Sequence, residues 1–233
     1  MAGLGLLFFY YQVTTPLKCA IFRLEVYNQF IGGSVFMTKG KIYCVMGKSA
    51  SGKDSLYKAV LERMPIPLKT FTTYTTRPIR SNETDGVEYN FVTVEDFYRM
   101  REEGKVIEFR CYHTVFGDWY YFTADDGKIN DSEDYITIMT LEGYISLCGY
   151  FGKDRIIPIY VNVEDGLRLE RALAREKKQQ NPAYAEMCRR FLADSEDFSE
   201  EKLKACGIDR YFENIDFDKC LDEICDFIAA NHG

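Results

Sequence analysis

Gly47-Lys48-Ser49-Ala50-Ser51-Gly52-Lys53 brackets four residues between two glycines and ends in a lysine. This is the G-x-x-x-x-G-K pattern of a loop whose backbone N–H groups turn inward around a phosphate. A helix starting there adds partial positive charge, and Lys53 is placed to reach β/γ oxygens. The chemistry implied is nucleotide binding and phosphoryl transfer. The next position is Asp54 rather than the Ser or Thr that would ligate magnesium, and Ser55 comes one residue late. A carboxylate can bind Mg²⁺, so Asp54 becomes the candidate metal ligand. Residues 47–55 together form the candidate ATP-binding segment.

A second group lies at Thr75-Thr76-Arg77-Pro78-Ile79-Arg80, followed by Glu83, Gly86 and Tyr89-Asn90-Phe91-Val92. Two arginines three apart and a tyrosine hydroxyl suit the dianionic phosphate of a nucleoside monophosphate. The segment resembles the acceptor-binding region of guanylate kinases, T-T-R-x-x-R…G-x-x-Y-x-F, and the spacing onward to Glu108 matches without a gap. The resemblance covers about residues 40–229. It implies transfer of the γ-phosphate of ATP, with Mg²⁺, to a nucleoside monophosphate, GMP or dGMP foremost. It implies Thr73, Arg77, Arg80, Tyr89, Glu108 and Asp118 as acceptor-binding residues. Glu108 would read the base, because guanine offers N1–H and N2–H₂ side by side to one carboxylate and adenine does not.

The same resemblance makes Arg171, Arg175 and Arg190 lid arginines that act with Lys53 and Arg77 on the transferred phosphoryl group. It sets Asn214 near the ATP adenine. Where the family has Tyr-Gly-Ser/Thr after the base-reading glutamate, this chain has Phe116-Gly117-Asp118, which lacks both hydroxyls. The family's D-x-D corresponds to Ile138-Met139-Thr140, which leaves the metal role to Asp54. Two other readings stand beside the kinase: a non-catalytic module of this family binding a phosphopeptide or partner, and an ATP-dependent kinase with another small phosphorylated acceptor.

These residues need a scaffold. Lys41–Met46, Tyr135–Leu141 and Ile156–Val161 are apolar, β-rich runs, and Arg210–Phe212 reads as a short strand. Helices are expected at Lys53–Met64, at Glu95–Glu103 after Thr93, as a pair carrying the lid arginines, and at Phe217–Ala229 capped by Asp216 or Asp218. Strands separated by helices imply an α/β fold with a P-loop kinase-type parallel sheet flanked by helices. A β-rich acceptor lobe is inserted at about 71–123, and a helical lid at about 164–198.

Composition bounds the rest. Of 233 residues, 46% are hydrophobic and 28% charged, an ordinary globular balance. The net charge of −7 offers no basic field for nucleic acid, so nucleotides are the expected partners. Residues 1–36 carry only three charges (Lys18, Arg23, Glu25) and read as an appended segment before a domain at 37–233. A membrane-surface or partner-binding arm is the alternative. The apolar run Gly3–Tyr11 is far shorter than the roughly 20 residues that span a bilayer. Eight scattered cysteines without C-x-x-C, and two histidines, point to reduced thiols in a cytoplasmic protein and argue against zinc. Oligomeric state is left open.

Overall fold

The computed structural model describes residues 39–79, 83–86, 89–114 and 117–232. Arg80, Phe116 and the segment 1–36 lie outside them. The larger sheet is built from β1 (Ile42–Met46), β6 (Tyr135–Ile138), β7 (Ile156–Asn162) and β8 (Tyr211–Glu213). Its order is β6-β1-β7-β8, and every pairing is parallel. β1 is fully buried because both its edges are paired and helices cover both its faces. Tyr43 and Val45 point to one face and pack against α1 (Lys53–Arg63) and α7 (Phe217–Asn231) through Leu56, Val60, Leu221 and Ile224. Cys44 points to the other, near Tyr144 and Cys148 of α3 (Leu141–Phe151). The period-2 alternation of a strand thus serves two helical layers.

Most of the expected elements of this layer fall within a residue or two of their observed bounds, with one difference. The second apolar run ends as a strand at Ile138, and Thr140 caps α3 by accepting from Gly143 N. A threonine favours that cap, whereas apolar continuity through Leu141 concealed the boundary. Of the two candidate caps for the last helix, Asp216 is used, accepting from Lys219 N.

The inserted lobe is a second sheet of order β3-β2-β5-β4. Its strands are β2 (Tyr74–Thr75), β3 (Asn90–Phe91), β4 (Val106–Thr114) and β5 (Gly117–Ala124). β5 was not among the expected strands; its Gly-Asp start reads as a turn, yet Trp119–Ala124 continues the hairpin. α2 (Val94–Glu102) begins with the reciprocal Thr93–Asp96 capping box and buries Phe97 against Tyr120 and Phe122. Between β7 and β8 lie α4 (Asp165–Glu176), α5 (Tyr184–Asp197) and α6 (Glu200–Ala205). The first two are helices where a helical pair was expected.

Candidate functional site

The glycine–lysine loop joins β1 to α1, at the carboxyl edge of the sheet. A Cβ on Gly47 would stand 2.5 Å from the Val161 carbonyl oxygen, so only glycine lets the loop lie this close to β7. Gly52 caps α1 with φ 86°, and a side chain there would collide with the Asn214 amide. Ala50 also has positive φ, 63°, an unusual conformation for a residue with a Cβ.

Asn214 is buried and explains the tightness. Its Nδ2 donates to the Ser51 carbonyl at 2.7 Å, its own N–H donates to Asn162 at 2.9 Å, and Arg171 donates to its carbonyl at 2.9 Å. Asn214 therefore braces the phosphate loop from beneath, and Arg171 braces Asn214. Lys53 faces a cleft of about 650 Å³, while Asp54 is 71% exposed with its carboxylate 3.3 Å from Lys53 Nζ. Neither Asp54 nor Ser55 lines the cleft wall.

The opposite wall comes from the inserted lobe. Residues 108, 110 and 112 of β4 share one face by alternation and line the cleft, with Tyr121 of β5, Thr73 and Tyr89. Glu108 accepts from the buried Thr123 hydroxyl at 2.8 Å, its direct cross-strand partner. Burial pushes the Glu108 carboxyl above its ordinary range, against the opposing effects of that hydrogen bond and of Arg110. Arg110 in turn donates to Thr140 Oγ1 at the start of α3.

Several expected residues stand differently. Arg77 is 4% exposed and bound by both nitrogens to Glu83, at 2.7 and 2.5 Å. Its guanidinium lies over the rings of Tyr89 and Phe91 and reaches the Tyr121 hydroxyl. Asp118 does not enter the cleft; it pairs with His113 on the opposite face of the hairpin, at 2.7 Å. Two hydroxyls of β5 do stand beside the expected residues: Tyr121 meets Arg77, and Thr123 meets Glu108.

The lid contributes groups that the sequence reading missed. Asp194 and Phe198 line the cleft, whereas Arg175 is exposed and Arg190, 53% exposed, sits 3.5 Å from Glu186. Asp194 accepts the backbone N–H of Ser49 at 2.7 Å, a carboxylate held by the phosphate loop. Arg168, 1% exposed, links the lid to that loop through Asp165, Asp194 and the Ser49 carbonyl, and stacks 4.0 Å over Phe191.

Comparison with known proteins places this geometry. Residues 39–125 match the family model described as guanylate kinase. A guanylate kinase of Aliivibrio fischeri is 41% identical over 85 residues, which are 36% of this chain and 40% of that protein. One from Thermotoga maritima is 32% identical over 110 residues, 47% of this chain and 52% of that one. The chain thus spans about half or less of the length of these relatives. The crystal structure of guanylate kinase from Anaplasma phagocytophilum superposes with a TM-score of 0.53 at 20% identity, over 83% of this chain and 87% of that one, a likeness of fold. Over residues 39–125, which carry both the glycine–lysine loop and most of the inserted lobe, the chain is similar to guanylate kinases.

Proposed function

We propose that this protein moves the γ-phosphate of ATP to a nucleoside monophosphate, GMP or dGMP foremost. The observation that carries the reading is one cleft with Lys53 on one wall and the Glu108–Thr123 pair on the other. Loop N–H groups and Lys53 would hold the donor phosphates, and Glu108 with Thr123 would orient the base. The acceptor phosphate would meet the Tyr89 and Tyr121 hydroxyls with Arg77 behind them, and Arg80 is assigned the same role. Burial raises the Tyr89 hydroxyl, which keeps it a donor at neutral pH.

ATP with magnesium supplies the transferable group when bound. Asp54 offers a hard carboxylate oxygen on the first turn of α1, beside Lys53 but outside the cleft wall, and would have to turn inward to hold the metal. Asn214 would hold the loop in place beneath the ATP phosphates, and the adenine is expected nearby. The reading requires lid movement that turns Arg175 and Arg190 inward, where they would neutralise charge on the phosphoryl group. A coupled kinase assay against GMP, dGMP, AMP, CMP and UMP tests it. Turnover confined to the guanine nucleotides is expected; no turnover with any acceptor would leave a binding module, and preference for another acceptor would overturn the base assignment.

A further inference from the structure

The face of the β4–β5 hairpin turned away from the cleft carries a second cluster. Cys111 and His113, two apart on β4, share that face; Asp118 stands directly opposite His113, and Tyr120 opposite Cys111. One donor atom from each of Cys111, His113 and Asp118 lies within 4.8 Å of the others. His113 Nδ1 is 2.7 Å from Asp118 Oδ1, and the Cys111 thiol is hydrogen-bonded to Asp118. The Tyr120 hydroxyl also meets the Cys111 sulfur, and is itself 2.9 Å from the Tyr98 hydroxyl.

We propose that Cys111, His113 and Asp118 form a binding site for a divalent transition-metal ion, Zn²⁺ foremost. The donor set decides the class of ion: sulfur, imidazole nitrogen and carboxylate oxygen suit zinc, whereas Mg²⁺ and Ca²⁺ want oxygen alone. Bonds of about 2.0–2.3 Å in a tetrahedron bring ligand atoms to about 3.5 Å from one another, so the wider separations must close by roughly an ångström and His113 and Asp118, at 2.7 Å, must part slightly. His113 is 82% exposed and Asp118 48%, which allows that rotation, lets the ion enter from solvent, and leaves the fourth position to water. The Tyr98–Tyr120 hydroxyl chain fixes the sulfur from behind, as outer partners of metal ligands do.

Binding balances simply. The Cys111 S–H bond breaks, its proton goes to solvent, and a metal–sulfur bond forms; neutral His113 and ionised Asp118 contribute lone pairs. Two negative charges then meet two positive ones. The sparse cysteines and histidines argued against zinc at the level of spacing, but the hairpin register assembles what spacing could not show. The site is independent of the kinase reading.

Titrating the full chain with Co²⁺ tests the proposal. One equivalent should produce the thiolate-to-cobalt charge-transfer band, and Zn²⁺ should bleach it. Cys111→Ser should abolish the band, while His113→Ala and Asp118→Asn should each weaken binding about tenfold or more. Calorimetry in two buffers of different ionisation enthalpy should report release of about one proton per ion. Thermal melts of the metal-free variants check folding, and the surface variant His113→Ala decides the matter should Cys111→Ser not fold. Absence of the band in the parent protein would overturn the site. So would a band that survives Cys111→Ser, or affinity unchanged in both His113→Ala and Asp118→Asn.

Discussion

Glu108 shows how one side chain's surroundings set both its chemistry and its pH response. Its carboxyl is pushed up by burial, so its proton persists to higher pH than on an exposed glutamate. Only the ionised form accepts two donors from guanine. Acceptor KM should therefore rise as pH falls through the upper carboxylate range, earlier than an ordinary glutamate would allow. Glu108→Gln should raise that KM at neutral pH by ten- to a hundredfold, since charge-assisted hydrogen bonds contribute about 1.5–3 kcal/mol each, and should flatten the acid limb. Steady-state kinetics across pH 4–8 check both effects; an acid limb retained in Glu108→Gln would assign it to another group. Glu108 itself was legible in the sequence, because its spacing from Arg77 holds. Its partner Thr123 was not, because cross-strand register depends on hairpin length.

At the scale of elements, α4 and α5 share with the glycine–lysine loop a charge network centred on the buried Arg168. Asp194 of α5 occupies the Ser49 N–H, and Arg168 of α4 is held between Asp194 and Asp165. A carboxylate on a loop donor competes with a phosphate for the same hydrogen. Asp194→Ala should lower ATP KM, by about five- to tenfold if one net hydrogen bond of about 1–1.5 kcal/mol is released. It should also lower the melting temperature, because Arg168 stays buried with one carboxylate fewer. Kinetics and thermal melts on one preparation separate the two. A raised ATP KM would show instead that Asp194 orders the loop for its ligand.

For the whole molecule, the central position of β1 has a consequence for the segment before it. β1 pairs with β6 and β7, so neither edge of β1 itself is left for an upstream strand. Arg155, 4% exposed, further ties the start of β1 through the Gly40 carbonyl, the Asp131 carboxylate and the Asn130 carbonyl. A chain beginning at Met37 should melt within a few degrees of the full chain and keep its kinetics. A fall of ten degrees or more, which corresponds to roughly 3 kcal/mol or more for a protein of this size, would show that residues 1–36 pack on the core. Among the described residues no helix is long and apolar enough to cross a membrane.

The sequence by itself determined the glycine–lysine loop between β1 and α1, the alternation of buried strands and helices, and the segment from Thr75 to Glu108, whose Tyr89 and Glu108 line the cleft. Each is local: glycine spacing, period-2 and helical periodicity, and capping residues act within a few positions of themselves. Only the tertiary structure decided what those residues face. It turned Asn214 beneath the loop, closed Arg77 onto Glu83, set Tyr121 beside Arg77 and Thr123 beside Glu108, and paired Asp118 with His113. It also brought Asp194 to Ser49 across 145 positions of chain. Such contacts depend on register and helix packing, which are settled by burial over the whole core rather than by any short stretch of sequence.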